Sequence, residues 1–399
     1  EVRPDTFASI EERLLGPLQA LASVQDKRGE ISPVAAVVLA ELSEAGAVVE
    51  GEGLDWLERL RAADGLQVPV PVGLQAELRA YQVAGFEWLT RLAAWAPGAL
   101  LCDDMGLGKT VQALGLLLRR RGDGPVLVVA PTSVGFNWVR EVARFAPDFE
   151  TRLFRGKATL ALLDELPPGV IVVTNYDLLA LNAEAFERTD WGTVVFDEAQ
   201  ALKNPATQRA RVAFSLRAGF RLALTGTPVE NRVDELWSIF RATIPGLLGS
   251  AESFRERFAS PITRDKDRDA GGTLARLIRP FILRRLKREV ATELPPRTDI
   301  RIDIDLSEAE RTRYDQIRTS AVLALRREKA EGALDAEWGA GIGAELARAG
   351  DAAGEGGRRI QVLAALTRLR QAACHPRLLD PTATHPSIKL TVLLDLLDD

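Results

Sequence analysis

The sequence predicts an α/β protein built on a parallel β-sheet that is covered by helices on both faces. Three observations predict this class. Between residues 73 and 245, short apolar runs alternate with segments of helical periodicity, which is typical of parallel strands joined by crossover helices. Each run ends in a polar cluster, where ligands bind in such sheets. One run leads directly into a loop that contains Gly106 and Gly108.

An N-terminal helical region is predicted for residues 1–68. Apolar residues recur at helical spacing in two stretches, 14–21 and 34–42. The segment 67–72 reads Gln-Val-Pro-Val-Pro-Val and is predicted to be extended, because paired prolines break a helix. We interpret residues 1–68 as a stabilising accessory domain, with a regulatory or partner-binding role as the alternative.

The sheet region is predicted to begin with an amphipathic helix at 78–93 and a short apolar run at 99–102. A second helix is predicted at 111–120, directly after the glycine loop. Runs rich in Val, Ile and Leu then predict buried strands, at 125–130, 170–174, 193–196 and 221–224.

The pattern becomes mostly helical after residue 245. Helices are predicted at 307–329, 360–373 and 389–397, and the Gly- and Ala-rich stretch 332–357 predicts a loosely packed connection. The chain begins at Glu1 without a methionine and ends inside the last predicted helix. We therefore expect a fragment whose true N-terminus is missing and whose end cuts into a further domain.

Composition places the chain among soluble globular proteins. Of its 399 residues, 46% are hydrophobic and 27% are charged, which is too apolar for disorder. Two cysteines in the whole chain favour a reducing cytoplasm over a disulfide framework. No apolar run is long enough to predict a membrane span. The Ala-, Arg- and Leu-rich composition hints at a GC-rich prokaryotic genome.

Charge gives a mixed indication about nucleic acid. The net charge of −5 argues against a nucleic-acid binder by itself. Arg and Lys nevertheless cluster at 276–301 and at 119–121. Local basic faces of this kind can bind phosphates on an acidic protein, and solvated helix faces are the equally weighted alternative.

The glycine loop predicts a phosphate-binding site. The segment 103–110 reads Asp-Asp-Met-Gly-Leu-Gly-Lys-Thr. Its glycines allow backbone N–H groups to point inward, Lys109 adds a positive charge, and Thr110 offers a hydroxyl to Mg²⁺. The general pattern expects glycine where this chain has Asp103, so the match to that pattern is imperfect.

An acidic pair follows the predicted strand at 193–196. A carboxylate at the end of a strand beside a phosphate loop can hold Mg²⁺, as Asp197 would. The adjacent Glu198 can orient and deprotonate an attacking water. The pair therefore predicts nucleotide hydrolysis rather than binding alone.

Several short motifs, in one fixed order, resemble those of the SWI/SNF-type DNA-dependent ATPases, a branch of the DEAD/DEAH helicase-like superfamily. The resemblance covers residues 73–399, and Asp103 fits this family's own form of the phosphate loop. Many relatives have His where this chain has Gln200. The matching segments are 78–82, 103–110, 130–133 with Trp138, 175–176, 197–204, 224–231, 279–285 and 369–376.

The resemblance implies a first RecA-like lobe that uses ATP and Mg²⁺. It implies catalytic roles for Lys109, Asp197 and Glu198, with Gln82 on adenine and with Thr110 and Asp197 on the metal. Nucleotide contacts are implied for Arg79, Gln82, Met105, Gly106, Leu107, Gly108, Lys109, Thr110 and Val111. Coupling of nucleotide state to DNA grip is implied for Gln200, Thr225, Gly226 and Thr227.

The resemblance also implies double-stranded DNA as the partner, and a protein–DNA complex as the remodelled substrate. Trp138 is expected to pack between helix and sheet. The implied domains are an accessory region at 1–68, the ATP-binding lobe at 69–245, a helical insertion region at 246–380 and the start of a second lobe at 381–399. DNA-backbone contacts are implied for Pro131, Thr132, Ser133, Asn175, Tyr176 and Lys203.

Two alternatives remain open at this stage. One is an RNA-directed helicase of the same superfamily, and the other is a non-hydrolysing nucleotide-binding scaffold. Because relatives complete the ATP site with arginines from a second lobe, the chain alone is expected to hydrolyse ATP poorly. We expect a monomer in the cytoplasm, associated with the nucleoid if the source is bacterial.

Cys374, His375 and His385 invite a comparison with metal sites. The chain has only one other cysteine, Cys102, so thiolates cannot complete a zinc site. We expect Cys374 and His375 to end a helix, and Cys102 to be a buried small apolar residue.

Overall fold

The structure is a computed structural model. It describes residues 12–25, 31, 33–226, 233–290, 300–331, 355–384 and 386–398. The chain divides into two compact units, Glu1–Pro295 and Pro296–Asp399. The division into four domains stays a prediction, and the first unit includes both the N-terminal helices and the sheet.

The first unit is built on one sheet of seven parallel strands, which confirms the predicted fold class. The spatial order is β3-β4-β2-β5-β6-β1-β7. The strands are β1 Gly98–Leu101, β2 Val126–Ala130, β3 Glu150–Leu153, β4 Val170–Asn175, β5 Asp190–Asp197, β6 Arg217–Leu224 and β7 Ile282–Leu283.

The central strands are apolar because both faces of the sheet are covered. Successive side chains of a strand point to opposite faces, and all residues of β1 and β2 are buried. The helices of the first unit are α1 Glu12–Val24, α2 Ala36–Glu44, α3 Glu52–Asp64, α4 Ala80–Ala93, α5 Lys109–Arg119, α6 Thr132–Phe145, α7 Tyr176–Leu181, α8 Ala183–Glu187, α9 Gln208–Ser215, α10 Val233–Thr243, α11 Ala251–Phe254, α12 Arg268–Ile278 and α13 Lys287–Val290.

The N-terminal helices share the hydrophobic core of the sheet unit. Ala20 of α1 and Val38 and Leu42 of α2 are buried in the same apolar cluster as the strands. The segment 67–70 has no regular secondary structure, as its prolines predict. The accessory helices are therefore packed on the lobe and do not have a separate core.

The second unit is helical in its described part. Its helices are α14 Glu308–Glu331, α15 Glu355–Cys374 and α16 Ile388–Asp398. These bounds confirm the three helices predicted after residue 300. Most of the predicted loose connection, 332–354, lies outside the described residues. None of the described helices is long and apolar enough to span a membrane.

Two edge strands, β3 and β7, were not predicted from the sequence. The only strongly apolar residue of β3 is Leu153, and its strand is half-exposed at one edge of the sheet. Strand β7 is two residues long and pairs with β1 at the opposite edge. Short or polar edge strands carry little periodic signal, so pattern analysis does not detect them.

The two cysteines are expected to differ in reactivity. Cys102 is fully buried, and burial raises the pKa of its thiol to about 12. Because the thiolate is the reactive species, Cys102 should resist a thiol reagent at pH 8, whereas exposed Cys374 should react. Titration with Ellman's reagent should count one thiol in the native chain and two after denaturation. Two fast thiols in the native chain, or one in Cys374→Ser, would contradict this prediction.

Candidate nucleotide-binding and catalytic site

The phosphate loop connects β1 to α5 and depends on two glycines. Gly106 has φ +84° and Gly108 has φ +73°, in the region that favours glycine. A Cβ on Gly108 would lie 2.4 Å from Nε2 of Gln82, so the loop also needs glycine for close approach. Helix α5 begins at Lys109 and presents its N-terminal N–H groups to the loop, as phosphate binding requires.

Lys109 and Gln82 both bond to the backbone of this loop. The Lys109 ammonium donates to the carbonyl of Asp103 at 2.8 Å. The Gln82 amide donates to the carbonyl of Leu107 at 3.2 Å and accepts from the N–H of Arg79 at 2.9 Å. A bound phosphate would replace the Asp103 carbonyl as the hydrogen-bond partner of the Lys109 ammonium. Contact of Gln82 with adenine stays a prediction.

Asp103 is buried, and it occupies the position where the general phosphate-loop pattern expects glycine. Its side chain is 0% exposed. Arg285, which follows β7, donates to it from Nε at 3.0 Å and from Nη2. The backbone N–H of Arg285 donates to the same carboxylate at 3.1 Å, and Gln112 of α5 donates at 3.4 Å. Arg285 also donates to the Tyr81 carbonyl. Asp103 thus joins the loop to segments distant in sequence.

The acidic pair lies at the carboxyl end of β5. Asp197 accepts from the indole N–H of Trp138 at 2.8 Å and from the N–H of Glu198 at 2.9 Å. Burial raises the pKa of the Asp197 carboxyl, and the Trp138 hydrogen bond opposes this effect. Glu198 has φ +49°, a left-handed conformation that is costly for a side-chain-bearing residue and concentrates at functional sites.

A third carboxylate, Glu141 of α6, lies beside Thr110 and Asp197. Its side chain is hydrogen-bonded to Thr110, and burial raises its pKa while the Thr110 bond lowers it. Hydroxyl and carboxylate oxygens are ligands that Mg²⁺ accepts, so Thr110 and Asp197 fit a magnesium site. Glu141 was not among the site residues predicted from the sequence. Its spacing of three from Trp138, which places both on one helical face, is the signal that could have found it.

A chain of hydrogen bonds connects the acidic pair to the predicted coupling motif. The Gln200 amide donates to Glu198 at 2.8 Å and accepts from the Thr225 hydroxyl at 2.8 Å. Gly226 approaches Met105 so closely that a Cβ would lie 3.2 Å from its side chain. Thr227 and residues 228–231 of the same motif lie outside the described residues. The glutamine that departs from the family pattern therefore makes both contacts needed to join the two motifs.

Comparison with known proteins decides the family. The model of the SNF2-related domain family matches residues 81–378. The chain belongs to the SNF2-related family. This confirms the resemblance drawn from the motifs.

Individual relatives agree with this assignment. YwqA of Bacillus subtilis, provisionally named an ATP-dependent helicase/translocase, is 40% identical over 271 residues, which are 65% of this chain and 29% of that protein. The chromatin-remodeling ATPase INO80 of Arabidopsis thaliana is 30% identical over 353 residues, 81% of this chain and 23% of that protein. This chain thus spans less than a third of either relative.

A solved structure supports the same fold. The Sulfolobus solfataricus SWI2/SNF2 ATPase core in complex with dsDNA is 29% identical with a TM-score of 0.54. The match covers 84% of this chain and 66% of that one. The parallel sheet and its helices are therefore the RecA-like fold of an SNF2-type ATPase core.

The residues predicted to contact DNA differ in accessibility in this SNF2-related chain. Thr132 and Ser133 are exposed in the first turn of α6, next to Pro131. Asn175 caps α7 by accepting from the Leu178 N–H at 2.8 Å. Lys203 is partly exposed after the acidic motif. These three segments remain candidates for contacts with the DNA backbone.

Tyr176 is buried, and its predicted contact with the DNA backbone stays a prediction. Its side chain is 4% exposed, and its hydroxyl donates to the carbonyl of Asp197 at 2.7 Å. Burial raises the pKa of this hydroxyl well above its usual value. A ring enclosed by the lobe cannot stack on a base, so Tyr176 supports the acidic motif from beneath. Trp138, which is 1% exposed, packs inside as predicted.

The basic clusters do not form a single phosphate-binding face. Arg120 donates to Thr193 and to the Gly192 carbonyl, at 3.1 and 3.2 Å. Arg121 donates to the carbonyl of Asp148 at 2.7 Å. Arg276 pairs with Glu41 of α2 at 3.7 Å. Arg120, Arg121 and Arg276 therefore hold elements of the lobe together.

Proposed function

We propose that this chain is the ATP-binding part of a motor that moves along double-stranded DNA and remodels protein–DNA complexes. The single observation that carries the proposal is the hydrogen-bonded connection from Glu198 through Gln200 to Thr225. It joins the residues that would cleave ATP to the motif that would sense the cleavage. A static nucleotide-binding scaffold has no need of that connection.

The nucleotide would lie across the carboxyl ends of β1 and β5. Gln82 would contact adenine, and Lys109 would exchange its bond with the Asp103 carbonyl for the terminal phosphates. Thr110 and Asp197 would hold Mg²⁺, which neutralises phosphate charge when bound. Glu198 would orient the attacking water and accept its proton.

DNA would be bound through its phosphates. Exposed hydroxyls at Thr132 and Ser133, at the N-terminus of α6, suit this purpose because phosphate contacts position a strand without reading its sequence. INO80, a chromatin-remodeling ATPase, and the Sulfolobus ATPase core in complex with dsDNA support double-stranded DNA as the partner. Such binding should weaken steeply as salt rises.

Hydrolysis by the 399-residue chain alone is expected to be weak. The family resemblance implies that arginines from a second RecA-like lobe complete the site. An arginine of this kind contributes roughly 10³–10⁵ in rate in related phosphoryl-transfer enzymes. The chain should therefore bind ATP without efficient turnover, and robust DNA-stimulated hydrolysis by it would contradict this part of the proposal.

The test is ATP hydrolysis measured with no nucleic acid, duplex DNA, single-stranded DNA and RNA. It should be run on this chain and on the longest natural form of the protein that contains it. We expect duplex DNA to stimulate the longer form most. Stimulation by RNA alone would indicate an RNA-directed helicase. ATP binding without hydrolysis under any condition would indicate a scaffold.

A further inference from the structure

We propose that Lys287 is a second phosphate-contacting cation of the ATP site, supplied from a segment far along the chain from the phosphate loop. The inference rests on the proposed ATP-binding function and adds a residue to it.

The segment after β7 runs beside the phosphate loop and is hydrogen-bonded to this part of the chain at every second residue. The Cys102 N–H donates to the Leu283 carbonyl at 2.7 Å. One step further, the Asp104 N–H donates to the Arg285 carbonyl at 3.0 Å. The Lys287 N–H then donates to the Asp104 carboxylate at 3.0 Å. Residues 283–287 are therefore fixed against the loop rather than merely near it.

The segment after β7 supplies positive charges that offset the negative charge of the phosphate loop. The loop at 103–110 carries two carboxylates, Asp103 and Asp104, and one ammonium, Lys109. Its own net charge is therefore negative, which opposes binding of a polyanion. Arg285 neutralises Asp103 directly. Lys287 brings the second positive charge, and the assembled loop then becomes net positive.

The ammonium of Lys287 lies over the glycine that shapes the loop. A Cβ built on Gly106 would be 3.1 Å from Nζ of Lys287 and 3.3 Å from its Cε. Apart from the two chain neighbours of Gly106, no other atom of the described residues would lie within 4 Å of that Cβ. Gly106 is itself exposed. Among the described residues, this ammonium has no hydrogen-bond acceptor and no ion-pair partner. The Arg285 guanidinium is paired with the Asp103 carboxylate, whereas the Lys287 ammonium can bind a ligand.

A different role for Lys287 would leave the same geometry. The side chain could simply cover Gly106 and help to hold the loop shut, without touching nucleotide. The two roles predict different effects of a Lys287 substitution on the affinities for nucleotides with different numbers of phosphates. A phosphate contact discriminates between ATP and AMP, whereas a covering role affects both ligands equally.

The experiment measures binding of ATP, ADP and AMP to the whole chain by displacement of a fluorescent ATP analogue. Lys287→Ala should weaken ATP binding by about tenfold to a hundredfold, the range for loss of one hydrogen bond to a charged group. AMP binding should be unchanged. Lys287→Arg should restore most of the loss. Arg288→Ala, the adjacent exposed cation, is the matched control and should bind like the unchanged protein.

The outcomes separate this inference from the proposed function. Equal ATP binding by Lys287→Ala and the unchanged chain would overturn the inference alone, as would equal losses in Lys287→Ala and Arg288→Ala. An equal loss for ATP and AMP would assign the covering role and would also overturn it. Lys109→Ala serves as the positive control. If the unchanged chain binds no ATP, the proposed function fails, and the inference fails with it.

Discussion

Replacement of Glu198 by glutamine is expected to abolish ATP hydrolysis and to leave ATP binding intact. General bases of this kind contribute about 10²–10⁴ in rate. Glutamine has nearly the same shape but cannot accept the proton of the attacking water. Its amide can still bond to Gln200, which holds Glu198 at 2.8 Å. The geometry of the site should therefore survive while its chemistry is lost.

The measurement is steady-state hydrolysis with duplex DNA, together with ATP binding, on the longest natural form of the protein. Glu184→Gln is the matched control, because Glu184 is an exposed carboxylate whose ion-pair partner is Arg188, four residues further along the chain at the C-terminal end of α8. Hydrolysis by the Glu198 variant at the rate of the control would refute the role of Glu198. A loss of binding together with hydrolysis would instead assign Glu198 a structural role.

Replacement of Arg285 by alanine is expected to destabilise the first unit by about 3–5 kcal/mol, the cost of leaving one member of a buried ion pair without its partner. Asp103 is 0% exposed and the Arg285 side chain is 14% exposed. The bonds that remain come from the backbone N–H of residue 285 at 3.1 Å and from Gln112 at 3.4 Å, and these neutral donors cannot balance a full charge. The variant should unfold at lower urea concentration.

Tryptophan fluorescence reports this unit almost alone, because six of the seven tryptophans precede residue 296. Arg188→Ala is the control, since Arg188 and Glu184 are 74% and 82% exposed and such pairs contribute about 0–1 kcal/mol. Arg285→Met combined with Asp103→Leu removes both charges and should recover much of the stability. Equal unfolding midpoints for Arg285→Ala and Arg188→Ala would show that the pair does not stabilise the unit.

The sequence was sufficient for features whose signal is local. The runs that became β2 and β4 are continuous stretches of Val, Ile and Leu, and the structure places both inside a parallel sheet. The phosphate loop and the acidic pair also lie at strand ends, as their motifs predicted. In each case a few neighbouring residues contain the whole pattern.

Features that depend on distant residues could not be predicted in this way. Trp138 was expected to be buried, but its hydrogen bond to Asp197 joins positions 59 residues apart. Arg285 and Asp103 are 182 residues apart. Periodicity and short motifs contain no information about such pairs. The burial of Tyr176 could not be predicted either, because a motif shows which residues occur together and not which of their side chains face solvent.

Strand β7 also decides how the ATP-binding part can be produced in isolation. A piece that stops at residue 245 would expose the backbone edge of β1, which is a template for pairing with other chains. It would also lack Arg285, the cationic partner of Asp103. Expression of such a piece should yield aggregates. Soluble material for binding studies should extend through Val290, where the helical turn after β7 ends.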